Sequence, residues 1–418
     1  MKKYDAYKDS GVKWIGEIPN HWEVVPLKRT GSFENGLTYS PNDIRDKGYI
    51  VLRSSNIQNS KMNYEDTVYV ESVPNDLLVK KGDIIICSRN GSASLVGKCA
   101  KFDGKIAATF GAFMMRYSPS INNEYAFFSF QILMRNYKGL FTTSTINQLT
   151  KNVIAQMVCP LPPLSEQQAI ASYLDAKTEK IDKMIAKAEK KIEYLDELKQ
   201  SLITRAVTRG LNPNTPLKDS GVNWIGNIHM HWDIACLRFF LRLINGRAYS
   251  QNELLPSGKY KVLRVGNFFT NDSWYYSNME LEPDKYCDKD DLLYAWSASV
   301  GPYIWNEAKT IYHYHIWKVQ LATSMDKMYS YYLLRAVTNQ KMSDMHGSTM
   351  MHITMGDMNK TKIPIPPLSE QQQIATYLDT KCSKIDHIIA TQKKKIAYLQ
   401  ELKQSLITNV VTGKIKVS

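Results

Sequence analysis

Two stretches of the chain carry apolar residues at intervals of seven. These positions are Leu174, Ile181, Ala188, Leu195 and Leu202 with Ile185 and Ile192 in the first stretch, and Leu378, Ile385, Gln392, Leu399 and Leu406 with Ile389 and Ile396 in the second. Such a heptad pattern predicts a long coiled-coil helix in each stretch, with these residues along its seam. A helix with one apolar stripe needs a partner. Our hypothesis is that the two helices pair with each other, antiparallel.

The two helical stretches are copies of each other. Residues 162–204 and 366–408 are identical at 31 of 43 positions, and both begin with PPLSEQQ. The prolines disfavour helix before them, and Ser165 and Ser369 are the predicted N-caps. A second repeated motif opens each half, with KDSGVKWIGEIPNHW at residues 8–22 and KDSGVNWIGNIHMHW at residues 218–232. Between these motifs the halves differ, so the chain is an internal repeat with divergent contents.

The segments between the repeated motifs predict globular domains of mixed structure. Short apolar runs bounded by turn residues predict strands at residues 50–57, 82–88, 261–268, 290–296 and 310–319, and longer patterns predict helices at residues 123–136 and 328–338. The predicted fold class is therefore α+β. The predicted plan has globular domains at residues 1–161 and 211–365 and long helices at residues 162–210 and 366–418.

Composition adds a constraint on the partner. The 418-residue chain has a net charge of +13, which favours a polyanionic partner. Six cysteines without a CxxC motif are typical of reduced thiols in a cytosolic protein. The N-terminal residues do not resemble a signal peptide, and no apolar run is long enough to span a membrane. We therefore expect a cytoplasmic protein with no membrane partner.

Short motifs for catalysis or metal binding are weak in this sequence. The segment 91–99, GSASLVGKC, has five residues between its glycines and Cys after Lys, so it departs from a phosphate-binding loop and fits a hairpin turn better. Asp284, Glu307 and Lys309 have the spacing of a PD…ExK nuclease, which uses Mg²⁺. This nuclease is one alternative function, and a coiled-coil scaffold without a DNA role is another.

Four histidines are candidate metal ligands. His313 and His315 fall on one face of the predicted strand 310–319, and His229 and His231 are close in sequence. A zinc site needs at least a third protein ligand, and the sequence offers no evident candidate for either pair. We therefore predict no metal site and no catalytic residue in this chain.

The repeated motifs in their fixed order resemble the DNA-specificity subunit of type I restriction–modification enzymes, and the resemblance covers the whole chain. It implies two target-recognition domains held apart by two antiparallel helices, with each domain reading half of a split double-stranded DNA target. It also implies that the helices dock two methyltransferase (modification) subunits, and that ATP-driven restriction (translocase) subunits join the full complex in a prokaryotic cell. S-adenosylmethionine, ATP and Mg²⁺ would be bound by those partners, and no cofactor by this chain.

The bases read by such domains vary between family members, so the DNA-contacting residues must be predicted from this sequence. Polar, basic and aromatic residues in predicted turns are the candidates: Arg53, Ser54, Asn56, Arg89, Asn90, Lys98, Thr143 and Ser144 in the first half, and Arg264, Asn267, Trp296, Ser297, His346 and Ser348 in the second. Arg53 and Arg264 occupy matching places in both halves. Equal residues cannot distinguish two half-sites, so we expect these two to contact phosphate or to support the loop.

Overall fold

A computed structural model describes residues 2–137, 148–269, 271–344 and 352–417. The chain divides into two compact units, Met1–Ala188 with Lys394–Ser418, and Glu189–Lys393. Each unit contains one globular half and a part of both long helices. The predicted domain boundaries at residues 161, 210 and 365 remain predictions.

The first globular half is built from short strands. They are β1 (Tyr7–Asp9), β2 (Glu17–Pro19), β3 (Glu23–Pro26), β4 (Gly31–Asn35), β5 (Ile44–Arg45), β6 (Tyr49–Leu52), β7 (Ile57–Gln58), β8 (Lys61–Met62), β9 (Tyr69–Val70), β10 (Ile84–Cys87), β11 (Cys99–Lys101), β12 (Ala108–Phe110), β13 (Met114–Pro119) and β14 (Val158–Leu161). Two four-stranded sheets, ordered β11-β10-β13-β4 and β12-β6-β9-β5, form its centre. Because β10 pairs antiparallel with β11, segment 91–99 lies in a hairpin connection, as predicted.

The second globular half repeats this plan. Its strands are β15 (Leu217–Asp219), β16 (Asn227–His229), β17 (Asp233–Cys236), β18 (Leu241–Asn245), β19 (Tyr260–Leu263), β20 (Tyr275–Ser277), β21 (Tyr286–Cys287), β22 (Leu292–Ala295), β23 (Gly301–Ile304), β24 (Thr310–Tyr312), β25 (Ile316–Leu321) and β26 (Lys362–Ile365). The sheet β18-β25-β22-β23 has the order of β4-β13-β10-β11, and a second sheet is ordered β20-β19-β24-β21. The α+β prediction is confirmed.

The helices are α1 (Asn123–Tyr137), α2 (Lys151–Gln156), α3 (Leu164–Arg209), α4 (Lys327–Asp344), α5 (Met355–Lys360) and α6 (Leu368–Val411). The long helices α3 and α6 contain 46 and 44 residues, which at the α-helical rise gives roughly 70 Å each. Each begins one residue before its predicted N-cap serine. Gln167 and Gln371 instead reach back, and each side chain donates to the carbonyl of a preceding proline. None of the described helices combines the length and the apolar character needed to cross a bilayer.

In the first unit, α3 and α6 pair antiparallel. Lys403 Nζ donates to Asp182 Oδ1 over 2.6 Å. Leu174, which precedes Asp182 in α3, shares a buried cluster with Val410, which follows Lys403 in α6. The two helices therefore run in opposite directions, since positions later in α3 lie beside positions earlier in α6.

In the second unit the same arrangement recurs. Lys199 Nζ donates to Asp386 at 2.6 Å, and Leu195 packs in a cluster with Ile389. The pair Lys199–Asp386 is the counterpart of Lys403–Asp182 by the offset of the repeat. All the seam positions predicted from the heptads are buried or half-buried, including Ala188 and Gln392. The antiparallel coiled coil is confirmed.

Three predicted strands are interrupted. The predicted strands 50–57 and 261–268 end at Leu52 and Leu263, and 3-10 helices follow at Ser54–Asn56 and Val265–Phe268. The alternating segment 310–319 is two strands, β24 and β25, which belong to different sheets. His313, Tyr314 and His315 form the turn between them, closed by the Ile316 N–H donating to the His313 carbonyl over 2.9 Å. Tyr312 and Ile316, which flank the turn, are both buried in one apolar cluster, so the apolar pattern of the sequence continues across the turn. His313 and His315 therefore do not share a strand face.

The two kinds of repeated motif meet at the start of each long helix. In the first unit Glu166 accepts hydrogen bonds from His21 Nε2 (2.5 Å) and Trp22 Nε1 (3.0 Å), and in the second Glu370 accepts the same bonds from His231 and Trp232. Burial alone would raise the pKa of both carboxyl groups, but the hydrogen bonds outweigh burial and lower the pKa below its ordinary value. We call these two arrangements the first and the second joint.

Candidate functional site

The loop after β6 in the first half is organised by one buried amide. Asn56 is fully buried, its Oδ1 accepts the Arg53 N–H at 2.8 Å, and its Nδ2 donates to the carbonyls of Asn63 (3.0 Å) and Asp66 (2.7 Å). An amide used in this way supports the backbone and is not presented to a ligand. The predicted DNA contact through Asn56 is therefore incompatible with the structure.

The loop after β19 in the second half has the same internal bonds. Asn267 Oδ1 accepts the Arg264 N–H at 3.1 Å, and Nδ2 donates to the carbonyls of Asn271 (2.9 Å) and Ser273 (3.0 Å). Its side chain is half-buried. Asn267 is thus also a loop-supporting residue, and because it is only half-buried, the DNA contact predicted for it stays a prediction. The matched Arg–Asn pairs form a frame common to both halves.

Several basic candidates of the first half are engaged within the protein. Arg53 pairs with Asp66 at 2.8 Å, and its side chain is one-third exposed. Lys98 is half-buried, and its Nζ donates to the Ser54 carbonyl at 3.1 Å. These contacts hold the loop that carries Ser54 against the β10–β11 hairpin. They leave Arg53 with an exposed edge and Lys98 with little freedom.

Arg89 is the exposed one among the three basic candidates of the first half. It lies at the end of β10, it is exposed, and its guanidinium lies 5.3 Å from the ring centroid of Phe113. No acidic partner for Arg89 occurs among the described residues. Phe113 is itself 61% exposed. Together with Ser54 and Asn90, whose Oδ1 accepts the Ser92 N–H at 2.9 Å, these residues line one open cleft.

The second half presents different side chains on equivalent backbone. The Gly111 N–H donates to the Leu52 carbonyl at 3.0 Å, and the His313 N–H donates to the Leu263 carbonyl at 2.9 Å. Gly111, Ala112 and Phe113 therefore correspond to His313, Tyr314 and His315. We call these two three-residue turns the first and the second reading turn.

The predicted residues Trp296 and Ser297 lie beside the second reading turn. Trp296 Nε1 donates to the Tyr314 carbonyl at 2.7 Å, and its ring lies 4.9 Å from His315 between centroids. Ser297 is bridged to His352 in the manner of Arg89 and Gln148, so Ser297 occupies the place of Arg89. A small neutral hydroxyl thus stands where the first half has a cation.

The electrostatics of the second reading turn follow from partial burial. Burial lowers the pKa of His313 to about 4, with further contributions from His315 and Arg264, and burial and Arg264 also lower the pKa of His315. Both imidazoles are therefore neutral near pH 7, and each has one donor and one acceptor nitrogen. Arg264 is exposed, with its guanidinium 5.3 Å from the Tyr275 ring centroid.

The structure changes the set of candidate DNA contacts. In the first half, one cleft is lined by Arg53, Ser54, Arg89 and Asn90. In the second half, the candidates near the second reading turn are Arg264, Trp296 and Ser297. Sequence reasoning missed Phe113 and Tyr314 and considered His313 and His315 only as metal ligands. The available signal was the difference between the two halves at this position. The candidates Thr143, Ser144, His346 and Ser348 lie outside the described residues.

The residues of the alternative nuclease do not form a site. Asp284 pairs with Lys285 at 3.2 Å, and Glu307 pairs with Lys261 at 2.7 Å. Lys309 Nζ lies 4.3 Å from the ring centroid of Tyr286. Each group thus has its own partner, whereas metal-assisted hydrolysis requires carboxylates converging on one position. The nuclease interpretation is not supported.

Comparison with known proteins gives a consistent family. The model of the type I restriction modification DNA specificity domain matches residues 19–194 and again residues 231–399. A putative type I restriction enzyme specificity subunit, MjaX, from Methanocaldococcus jannaschii is 27% identical over 435 residues, covering 98% of this chain and 98% of that protein. The EcoKI specificity subunit of Escherichia coli K12 is 24% identical over 427 residues, covering 96% and 90%.

The fold is also shared with a solved structure. A chain from a study of complex assembly and conformational transition of the type I R-M system has a TM-score of 0.70 and 16% identity, and the match covers 95% of this chain and 99% of that chain. At this identity the likeness concerns the fold alone. The repeat, the fold and the family match agree along almost the whole length.

Proposed function

The chain belongs to the type I restriction modification DNA specificity family, and on that premise we propose that it selects the DNA target of a type I restriction–modification enzyme. Each globular half would read one part of a two-part sequence. The chain is a non-catalytic subunit. The observation that carries the proposal is the equivalence of the two reading turns, where one shared frame presents Gly111–Phe113 in one half and His313–His315 in the other.

In the first half, Arg89 is the proposed base-reading residue. An arginine reads guanine through two parallel hydrogen bonds, and the exposed guanidinium of Arg89 has no competing carboxylate among the described residues. Phe113 beside it offers an apolar surface of the kind that contacts the thymine methyl group. Arg53, held by Asp66, is proposed to position the phosphate backbone.

In the second half, the proposed readers are the neutral side chains of the second reading turn. His313 and His315 offer both a donor and an acceptor, and Ser297 adds a hydroxyl in the place of Arg89. Arg264 supplies an exposed positive charge suited to phosphate. The two halves would therefore prefer different bases although their backbones correspond.

Exchange of one half tests the division of labour. Residues 1–160 would be replaced by the same segment of another family member, and methylated sites would be mapped in a host that also carries the modification subunit. One part of the methylated motif should change and the other should persist. The matched exchange of residues 211–363 should change the other part. A change in both parts from either exchange would contradict independent reading.

The long helices carry exposed apolar residues that the coiled coil does not use. In the first unit these are Met184, Tyr398 and Leu402, which are 45%, 64% and 42% exposed. Met184 and Leu402 lie near the Asp182–Lys403 ion pair and so at one level of the helix pair. Clustered exposed apolar side chains on a charged surface favour a protein partner.

The second unit presents the equivalent set. Tyr194, Leu198 and Ile388 are 62%, 41% and 38% exposed, and they correspond to Tyr398, Leu402 and Met184 by the offset of the repeat. Two equivalent patches suit two identical partners. We propose that they dock two methyltransferase subunits, with restriction (translocase) subunits joining through them. S-adenosylmethionine, ATP and Mg²⁺ would be bound by those partners.

Charge substitutions test the docking patches. Leu198→Asp and Leu402→Asp should each reduce the assembly from two methyltransferase subunits to one, and the double variant should bind none, because each buries a charge in one apolar contact. The measurement is the mass of the purified complex. Glu189→Lys, at an exposed polar position of α3, is the control and should leave the mass unchanged. Full assembly by the double variant would place docking elsewhere.

A further inference from the structure

The two joints share their hydrogen bonds from histidine and tryptophan, but they differ at two residues. In the first joint Glu166 has a third partner, because the Tyr4 hydroxyl donates to its Oε2 at 2.8 Å. By the offset of the repeated opening motif, the counterpart of Tyr4 is Asn214. Asn214 does not contribute this bond to Glu370. The second joint therefore lacks one hydrogen bond that the first joint has.

The same comparison places a histidine at the second joint. Pro19 ends β2 paired with Tyr7, and His229 ends β16 paired with Leu217, so the two residues occupy the same strand position. The His229 side chain is 2% exposed. Its Nδ1 lies 3.7 Å from Glu370 Oε2, beyond a hydrogen bond.

Neither ring nitrogen of His229 has a hydrogen-bond partner within the described parts of the chain. Buried polar groups are hydrogen-bonded as a rule, so a buried imidazole with both nitrogens unused needs a ligand or a reason. The surrounding rings supply none, since Trp232 and His231 lie 4.9 and 5.6 Å away between centroids, tilted by 54° and 35° against the His229 ring.

His229, His231 and Glu370 are a group of side chains of the kind that can hold a metal ion. One ligand atom from each residue lies within 4.8 Å of the others. Two imidazole nitrogens and one carboxylate oxygen are a common zinc ligand set, in which water takes the fourth position. His231 is 46% exposed at its side chain, which gives an ion access from solvent. The third ligand that was missing from the sequence comes from the start of α6.

We propose that the second joint binds a zinc ion through His229, His231 and Glu370, and that the first joint does not. The ion would tie the end of β16 to the first turn of α6, in the place of the hydrogen bond that Tyr4 gives the first joint. At the first joint Pro19 offers no ligand atom, so His21 and Glu166 are left with only two ligand groups. The two ligand sets thus differ by one side chain, His229 in the place of Pro19.

Zinc titration of the full chain tests the proposal. After treatment with a chelator, the protein is titrated with zinc in competition with a chromophoric chelator, and with cobalt to read its visible ligand-field bands. We expect about one tight zinc per chain and a cobalt spectrum of low symmetry. Zinc should also raise the thermal midpoint, because a ligand bound only to the folded state stabilises it.

The repeat supplies matched variants. His229→Pro restores the residue of the first joint, where proline already fits the strand end, and it should abolish the tight site and the thermal shift. His21→Ala removes the equivalent histidine of the first joint and should leave both unchanged. Circular dichroism of His229→Pro checks that the chain is folded. His231→Ala should also lose the zinc site. This variant replaces His229→Pro in the titration if His229→Pro does not fold.

Other outcomes would overturn the proposal. Absence of tight zinc binding by the wild-type chain would do so. Zinc retained in full by folded His229→Pro would mean that the ion is held elsewhere, for example by thiols. Equal loss in His21→Ala and His229→Pro would show that the binding is not specific to the second joint.

Discussion

The two globular halves share a frame and differ in what the frame presents. The first half places an arginine and an exposed phenylalanine at its reading turn, and the second places two neutral imidazoles and a serine on corresponding backbone. Meanwhile the loop amides Asn56 and Asn267 make the same three bonds. Different residues therefore serve the two tasks. Buried side chains keep the backbone the same in both halves, and exposed side chains make the two surfaces different.

The frame gives the largest expected effect. Asn56→Ala removes three hydrogen bonds from a fully buried site, and we expect a loss of about 3 kcal/mol in the free energy of unfolding, since the abandoned N–H and carbonyl groups stay buried. Asn267→Ala removes the same bonds from a half-buried site and should cost about half as much. Denaturant midpoints and hydrogen exchange at residues 53–66 and 264–273 measure both.

Gln58→Ala is the control for that pair, because Gln58 is exposed on the same loop. Its midpoint should match the wild type. If Asn56→Ala changed DNA sequence preference without changing stability, the amide would read a base after all, and the original prediction would be restored.

Substitutions of the residues proposed to contact DNA should have the next largest effect. Arg89→Ala should lower discrimination at one base pair of one half-site by about 1–3 kcal/mol and leave the other half-site unaffected, because the guanidinium would lose a bidentate contact with guanine. By contrast, Arg264→Ala, at the place of Arg53, should weaken binding evenly on all sequences, as expected for a phosphate contact. Competition binding with single-base variants of the target, using the assembled complex, distinguishes the two patterns. An even loss with Arg89→Ala would make Arg89 a backbone contact.

The sequence alone predicts the shared framework of helices and globular halves, but it does not predict which side chains form the exposed surface. The heptads and the repeated motifs predicted two long paired helices and mixed globular halves, because these features depend on local periodicity and on self-similarity. The joints were missed since His21 and Glu166 are separated by 145 residues in sequence, and no local pattern reports such a contact. Segment 310–319 was misread because its turn keeps the alternation of a strand.

The residues proposed to read bases were the least predictable for a related reason. Asn56 and Arg89 are both polar residues in turns, and nothing in the sequence says which of them points inward. Burial decides their roles, and burial depends on neighbours distant in the chain, such as the Asp66 carbonyl for Asn56 and the Phe113 ring for Arg89. Comparing the two halves after the fold is known recovers part of the missing signal.

Lowering the pH should destabilise the second half more than the first, by a smaller amount than the substitutions above. The pKa of His313 is about 4 in the folded chain against 6.5 when exposed, so the unfolded chain binds the proton more readily. Stability from this group is therefore lost as the pH falls below about 6.5, and the loss levels off near the folded value. His315 adds in the same direction, and the exposed cation Arg264 opposes protonation of both rings.

The measurement is unfolding followed by tryptophan fluorescence at pH 7 and pH 5. Trp14 and Trp22 precede residue 162 and the other tryptophans of the chain follow Gly210, so the signal reports mainly on the second half. His313→Asn should reduce the pH dependence. The first half has Gly111 at this position, so Gly111→Ala serves as the control and should leave the acid sensitivity of the fluorescence transition unchanged. An unaltered pH dependence in His313→Asn would assign the sensitivity to other groups.

The helix ion pairs should give the smallest and most equal effects. Lys199→Met and Lys403→Met each remove one of two equivalent pairs, and both leave a carboxylate that water can reach, since Asp386 and Asp182 have side chains 55% and 30% exposed. No charge is stranded in the interior, so each variant should lose at most about 1 kcal/mol of unfolding free energy. Denaturant midpoints of the two variants should lie close together, because the helix pair repeats the Lys–Asp contact and the second cation near Asp182, Lys61 at 3.8 Å, is 74% exposed. A clear difference between the midpoints would show that the two ion pairs are alike in geometry but not in their contribution to stability. Besides constant buried residues and variable exposed ones, there would then be residues that keep their contacts but differ in energy.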